Sequence, residues 1–504
     1  MPQTLPWGAE YTLLGEFNLP ANLFTLDDAT LGVLDGNCYL DGRTEDDLTD
    51  RLLNVEISRG RHDQFQDFQA GTMRLTLSNN DRELDPVNTD SRYFDPVSGT
   101  SGVTIRRKVT LKYKDTKIFT GRITDIDIAY DPTSAPNTRS EVTIDVADDF
   151  VLLANTYMDE FLPSNQLSGA RVNAILALPE VNYTGPTAID TGTILCLDDP
   201  VADQTRTIDA LQAVAATERG YLYFKGDGTL VFTDRITGSA IPAKVFADDG
   251  TGQEYETLSI VYGQENLFNR IVCTPIDSVT AGVADDATSQ ATFGISALSL
   301  SGLLCSDADA QTLANYLLSL FKDPSYRFDG MSVTFIGNSI GLVSQQEIID
   351  LELGSVVRVV KSFSVGSPAS VYQNVTVEHI DHAITPQSHT ITYKFAPASF
   401  STLTKTATGT GTGTQTASGL RITGKTASGT GGATTGDTAI GVRVVPRTAT
   451  GSGTGTQTAV GVKVKSATAT GSGTGGQSAT FTIQAVLILD SATKGLLDTN
   501  ILGY

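Results

Sequence analysis

The sequence predicts a mainly β protein with a smaller α+β unit. Two antiparallel β-barrel-like domains flank a helix-plus-hairpin domain, and Gly/Thr-rich β repeats follow. Three observations carry this. Short segments of apolar/polar alternation fill residues 51–147 and return from about residue 253, the period-2 pattern of half-buried strands. Between them the apolar spacing lengthens to that of helices. After Thr404 the composition shifts abruptly, and a unit of about twenty residues recurs. The implied boundaries are an N-terminal arm (1–50), a first barrel-like domain (51–147), an α+β domain (148–250) and a second barrel-like domain with one helix (251–400). Repeats (401–484) and an apolar tail (485–504) complete the chain.

In the first strand-rich region, "NVEISRG", "TMRLTLS", "KVTLKYK", "KIFTGRITDIDIAY" and "SEVTIDVAD" are separated by turn clusters. The turn-rich connection 79–103 reads as an exposed loop. Beyond Asp148, "SGARVNAILAL" predicts a helix with Ser168 as its cap. "TIDALQAVAATERG" predicts another, with Ile208, Leu211, Val214 and Ala215 on one face and an end at Gly220. "YLYFKGDGTLVFTDR" follows as a hairpin turning at Gly226, Asp227 and Gly228. Strands then return, from "YETLSIVYG" to "HTITYKFAPAS", interrupted by a helix that Ser306 caps, with Asp309 at the capping-box position and Pro324 closing it.

The repeats begin at residues 405, 425, 447 and 467. Each carries a Thr/Gly-alternating arm, and the first three add an arm alternating apolar with basic residues, as Val460, Val462 and Val464 do with Lys463 and Lys465. A hairpin per repeat is the expected form, with Arg421, Arg443, Lys463 and Lys465 on the outer surface. No repeat can bury a core alone, so stacking or trimerisation is required.

Charge divides the chain. The net charge is −22, but residues 401–504 hold 8 Lys/Arg against 3 Asp/Glu, so the acidic excess lies in the first 400 residues. An acidic body repels phosphate at long range, which argues against sequence-specific nucleic-acid binding. Cys38, Cys196, Cys273 and Cys305 form no CxxC pair, the usage of small buried apolar residues in a reducing compartment. No basic segment followed by an apolar core opens the chain, and no long apolar run is present, so a soluble cytoplasmic product is expected.

Catalytic patterns are scarce. Glu378, His379, Asp381, His382 and His389 crowd "EHIDHAITPQSH", so a metal site has to be weighed. On a strand, however, Glu378 and His382 share one face while His379 and Asp381 share the other, leaving no same-face triad. No GxSxG or HExxH motif occurs. The expectation is no catalytic, cofactor-binding or metal-binding residue, no cofactor and no enzymatic activity.

One segment is more specific than its strand requires. "ISRGRHDQFQDFQAGTMRLTLSNNDRELDPVNTDSRYFDPVSG" (57–99) frames an ordinary strand with Arg59, Gly60, Arg61, Phe68, Ala70, Gly71 and Thr72 before it. Asn80, Asp81, Arg82, Asp85 and Pro86 follow it. This resembles the signature segment of minor tail proteins of long-tailed actinobacteriophages, with Phe94 in place of a usual tyrosine. The helix-plus-hairpin, "LELGSVVRVV" and "VTVEHIDHAIT" resemble later parts of that family in the same order, and Thr/Gly repeats are familiar in it.

The resemblance implies a structural virion protein, a baseplate or tail-tip hub forming a homotrimeric ring that continues the tail tube and helps DNA delivery. It implies distal tail, tail tube, tape measure and other minor tail proteins as partners, and a place at the virion tail tip after assembly in the host cytoplasm. The alternatives are a sixfold distal tail ring protein, or an adhesin that binds the host cell envelope through the repeats.

Overall fold

The computed structural model describes residues 10–17, 26, 27, 29, 32, 33, 45–96, 98–131, 140–235, 242–335, 340 and 342–398, with eight strands between 405 and 482. It divides into two compact units, Met1–Ser399 and Phe400–Tyr504.

The first unit opens with β1 (Tyr11–Gly15), β2 (Asp46–Asp47), β3 (Leu52–Gly60) and β4 (Gln69–Ser78). After a small ribbon, β5 (Phe94–Asp95) and β6 (Thr100–Ser101), come β7 (Lys108–Tyr113), β8 (Thr116–Tyr130) and β9 (Ser140–Ala147). Alternation does what it predicts here. Val55, Ile57, Met73, Leu75, Leu77, Val142, Ile144 and Val146 are buried on one face, while Glu56, Thr72 and Arg74 between them are exposed. The connection 79–103 is not an exposed loop. Leu84, Tyr93 and Val103 are fully buried in it, because enough apolar side chains lie among its turn residues to anchor it to the core.

The central unit comprises α1 (Phe150–Asn155), β10 (Tyr157–Met158), β11 (Gln166–Leu167), α2 (Ser168–Leu176), β12 (Thr187–Ile189), β13 (Leu195–Cys196), β14 (Thr205–Arg206), α3 (Thr207–Glu218), β15 (Tyr221–Phe224) and β16 (Leu230–Thr233). Both expected helices and the hairpin form, but two end details differ. Ser168 lies inside α2, and its hydroxyl donates to Glu218 (2.7 Å) instead of capping. The left-handed residue ending α3 is Arg219 (φ 54°). Gly220 is needed for another reason, since a Cβ there would sit 2.1 Å from the Thr233 carbonyl oxygen.

The remainder runs through β17 (Lys244–Ala247), β18 (Thr257–Val261), β19 (Arg270–Pro275), β20 (Gly282–Asp285), α4 (Ala287–Phe293), β21 (Ala297–Leu303), α5 (Asp307–Phe321), β22 (Arg327–Phe335), α6 (Leu342–Ile349), β23 (Val356–Ser362), β24 (Ser370–Ile384) and β25 (His389–Pro397). The Ser306 hydroxyl caps α5 by accepting from Asp309 N, as its motif predicts. Two further helices, α4 and α6, accompany the one expected. A satellite core gathers Ile271, Cys273, Leu313 and Leu317 between the β19–β21 sheet and α5.

The strand-rich regions do not close into two barrels. They form one 13-stranded sheet whose main path runs β18-β22-β25-β24-β3-β4-β9-β8-β7-β1-β2, and no closed barrel occurs among the described residues. The physical cause is the antiparallel pairing of His379–Ile384 with Val55–Gly60. Each region's inner strand finds its partner in the other region, so neither closes upon itself. Tyr11–Gly15 and Asp46–Asp47, in the segment expected as an arm, are strands of this same sheet.

In the second unit the arms of each repeat do not form a hairpin ladder. β26 (Lys405–Thr410), β28 (Lys425–Thr430), β30 (Arg447–Ser452) and β32 (Ala467–Ser472) make one parallel sheet. β27 (Thr416–Ile422), β29 (Thr438–Val444), β31 (Gln457–Val462) and β33 (Gln477–Thr482) make another. Like pairs with like, Gly409 with Gly429 and Ala417 with Ala439. A hairpin would pair unlike arms, whereas stacking equivalent arms puts identical residues in register. Lys463, Lys465 and the tail 485–504 lie outside the described residues.

Among the described residues, the two apolar cores consist of residues between Tyr11 and Phe395. A chain ending at Ser399 should therefore keep a cooperative thermal transition within about 2 °C of the full chain, read by circular dichroism, because it retains every one of those core side chains.

Candidate functional site

The β3–β24 seam gathers the unusual chemistry. Arg61, just past the end of β3, donates from Nε to Glu378 Oε2 (2.6 Å) and from Nη1 to the Gln66 carbonyl (3.1 Å). The Tyr221 hydroxyl at the start of β15 donates to the other carboxylate oxygen, Oε1 (2.6 Å). The Arg61 guanidinium lies 4.5 Å from the Phe68 ring centre and 5.1 Å from that of Tyr221, an arrangement in which the ring faces attract the cation. Burial opposes the Arg61 charge, yet the adjoining Glu378 carboxylate outweighs it and the guanidinium pKa rises. Burial and the same carboxylate push Tyr221 well above the ordinary phenol value.

A second pair lies two residues back. Arg59 Nη1 donates to Glu352 Oε1 (2.7 Å), and Glu352 Oε2 accepts from Gly226 N (3.2 Å) in the β15–β16 turn. Gly60 between them has φ +111°, and a Cβ there would stand 2.2 Å from the Glu378 carbonyl oxygen. The Arg-Gly-Arg spacing is thus explained. Two arginines reach two carboxylates from the second strand-rich region, and the glycine admits the close backbone approach.

The rest of the frame holds β4 and its turn. Gly71 N donates to Asp148 Oδ2 (2.7 Å) and Phe150 N to Asp148 Oδ1 (3.0 Å), tying β4 to the start of α1. Complete burial raises the Asp148 carboxyl to about 7. After β4, Asn79 is buried and its Oδ1 accepts from Leu84 N (2.9 Å). Arg51 makes two bonds to Asp81 (2.8 and 2.7 Å). Arg82, left-handed at φ 59°, donates to Asp85 (2.7 Å), which also accepts from the Tyr130 hydroxyl (2.6 Å).

The acid–histidine cluster divides among separate networks. Glu378 belongs to Arg61, and His379 Nε2 lies 3.1 Å from Ser58 Oγ and 2.9 Å from Asp381 Oδ1. His382 Nδ1 lies 3.0 Å from His389 Nε2, and His389 Nδ1 lies 2.7 Å from the Tyr11 hydroxyl. In either proton order along Tyr11–His389–His382, one His389 ring nitrogen must accept, so His389 is neutral. Burial drives both below the ordinary histidine value, His389 to about 3. Among the described residues no three His, Cys, Asp or Glu side chains converge as metal ligands. Cys196, Cys273 and Cys305 are buried free thiols; Cys38 lies outside the described residues.

The opposite, polar face of the sheet is continuous across the seam. Thr257, Ser332, Thr392, Asp381, Ser58 and Thr72 oppose one another in turn across β18, β22, β25, β24, β3 and β4, and the row reaches Arg122 on β8 past the buried, apolar Ala147 on β9. A neighbouring row includes Glu56, Arg74, Asp145 and Asp125, with Arg74 bonded to Asp145 at 2.7 and 2.9 Å. An open groove runs over Ser58, Thr72, Arg74, Asp145 and Asp381.

Sequence reasoning singled out Arg59, Gly60, Arg61 and Glu378 but not their pairing, and it missed Glu352 and Tyr221. The available signal was two arginines flanking a glycine at the end of a strand, since such charges are buried only with partners.

No protein-family model and no curated protein matches this sequence. Solved structures resemble the fold. A tail protein from Neisseria meningitidis MC58 matches with TM-score 0.50 and 11% identity, over 77% of this chain and 96% of that one. The 43 kDa tail protein of prophage MuSo2 from Shewanella oneidensis matches with TM-score 0.46 and 14% identity, over 78% and 99%. Prophage tail protein gp18 from Listeria monocytogenes EGD-e matches with TM-score 0.41 and 11% identity, over 77% and 95%.

Two outcomes test the seam. Arg61→Met should cost about 3–5 kcal/mol in chemical denaturation, because Glu378 is left buried and uncompensated. Adding Glu378→Leu should recover much of that loss. The histidines set an acid limit. Their folded pKa values lie below the unfolded value, so below about pH 6.5 the unfolded state binds protons that the native state does not. Stability should fall toward pH 3 by about 1.4 kcal/mol per pH unit through His389, and His382 acts in the same direction. Asp148 has a raised folded pKa and acts oppositely, adding stability as pH falls from 7 toward 4. His389→Gln should flatten the acid limb of the stability–pH curve, and Asp148→Asn should steepen it.

Proposed function

We propose that this chain is a structural component of a phage tail, and that three copies form a hub ring at the tail tip. The observation that carries this reading is the continuous polar sheet face spanning both halves of the chain, ending in strands with free edges. β18 has β22 as its sole strand partner, and β8 beyond Arg122 has only β9, among the described residues. Such edges recruit further strands unless they are covered. Edge-to-edge joining of copies would satisfy both and turn the polar faces to one side.

Acidic groups outnumber basic ones on that face. Glu56, Asp125, Asp127, Glu141, Asp145 and Asp381 accompany Arg74, Lys108, Arg122 and Lys394. A wall of that sign lets DNA pass without capture. The fold shared with the Neisseria tail protein supports the same reading. The buried histidines and carboxylates hold strands together, so the role is assembly rather than bond chemistry. In the same reading the neighbours are distal tail, tail tube, tape measure and other minor tail proteins.

Cysteines placed at Asp127 in β8 and Ser259 in β18 test the ring. Oxidation should yield a covalent trimer on non-reducing gels, and particle imaging should count three copies at the tip. A stable monomer within the particle would overturn the proposal, and six copies would favour a distal tail ring.

A further inference from the structure

Charge in the first unit is divided between two segments of its sheet. Residues 105–122, covering the connection into β7, β7 itself and the first part of β8, hold seven Lys/Arg and one Asp. Residues 245–269, covering most of β17 and all of β18, hold five Asp/Glu and no Lys or Arg. The segments lie far apart in strand order, since β18 opens the main path and β8 and β7 are its eighth and ninth strands. Some of these charges are engaged within the chain. Arg122 bonds Asp149 (2.8 Å), Lys108 and Lys114 each lie 3.9 Å from a glutamate, Glu16 and Glu10, and Asp248 pairs with Lys361. Arg106 and Arg107 have no ion-pair partner among the described residues, and neither do Glu254 and Glu256. All four except the half-buried Arg107 are exposed.

These four residues stand beside the two strand edges that are free among the described residues. Arg106 N donates to the Ile123 carbonyl (2.7 Å) and Ile123 N to the Arg107 carbonyl (2.9 Å), so both arginines mark the point where β8 parts from β7. Glu254 and Glu256 immediately precede β18, whose outer edge is open too. Like charges gathered at neighbouring positions repel one another, and an opposite set brought alongside relieves the repulsion. We propose that each segment is the docking surface for the other on a second copy of this chain, with Arg106 and Arg107 of one copy against Glu254 and Glu256 of the next. The pairing is heterologous, so each copy keeps one segment of each sign to offer, and association proceeds until a ring closes. A two-fold arrangement would set like charges together, which opposes it. Sign also sets direction. Asp125 and Asp127 follow along the free edge of β8, so the glutamates belong at its Ile123 end. That places uncharged Thr257–Val261 opposite the aspartates and runs β18 parallel to β8. Duplex DNA is the other occupant a basic segment could take, but a net charge of −22 repels it. Resting on the ring reading for the identity of the partner, the pairing adds the charges that orient each junction.

Sedimentation of the full chain at neutral pH tests the pairing. The wild-type protein should self-associate at about 50 mM salt. At about 500 mM, where charges are screened over roughly a third of the distance, association should weaken by about 10-fold or more. R106E/R107E and E254R/E256R should each weaken it by about 10-fold or more at low salt. R106E/R107E/E254R/E256R, in which both signs are exchanged, should return to within about 3-fold of wild type, a recovery that a misfolded chain would not show. Salt-insensitive association, absence of association at low salt, equal association by either double variant or no recovery in the fourfold variant would overturn the proposal. So would a wild-type chain that stays monomeric and binds a DNA duplex instead. Particle imaging separates the docking from the ring. Three copies at a tip built from R106E/R107E chains would overturn the docking and leave the ring. Charge-swapped recovery with another copy number at the tip would support the docking and overturn the ring.

Discussion

The Arg61–Glu378 ion pair, with Tyr221 on the second carboxylate oxygen, is the interaction on which the first unit depends. It lies where β3 meets β24, the pairing that, among the described residues, makes two strand-rich regions a single sheet. A buried ion pair contributes modest net stability, because desolvating two charges offsets most of their attraction. Its larger effect is selection. A register slip between β3 and β24 would leave a carboxylate and a guanidinium buried apart, so the correct alignment is favoured over its neighbours.

Around that pair, each part of the frame connects a different element. Arg59 reaches Glu352 and through it the β15–β16 turn. Phe68 packs against Tyr221 and Tyr223. Asp148 joins β4 to α1, while Glu218 gathers Ser168, Thr193 and Ile194 at the end of α3. The central α+β unit is thereby fixed to both halves of the sheet by buried polar contacts. Its apolar core merges with theirs. Shared polar networks of this sort rigidify a junction, although Arg59 Nε is buried here without a hydrogen-bond partner among the described residues.

The second unit follows a different rule. Its strands carry few large apolar groups, and order comes from repetition, with each arm meeting its own copy one repeat on. Threonine and glycine in register suit a flat parallel stack, in which each unit is stabilised chiefly by its neighbours. The same repetition sets Lys405, Lys425 and Arg447 at one register position.

The sequence by itself determined what depends on local chemistry. Alternation placed the long strands and assigned their buried faces, the Ser306 motif started α5, and the Gly226–Gly228 turn closed its hairpin. In each case the residues responsible are neighbours along the chain. Partnership was decided only in the tertiary structure. Nothing near Arg59 or Arg61 identifies Glu352 or Glu378, which lie roughly three hundred residues away. Whether the two strand-rich regions close separately or join depends on which edges meet, and period-2 patterns are alike on every edge. The repeats show the same division. Strand formation was legible in each arm, but hairpin and parallel stack demand the same alternation, and only the long-range pairing of equivalent arms chose between them.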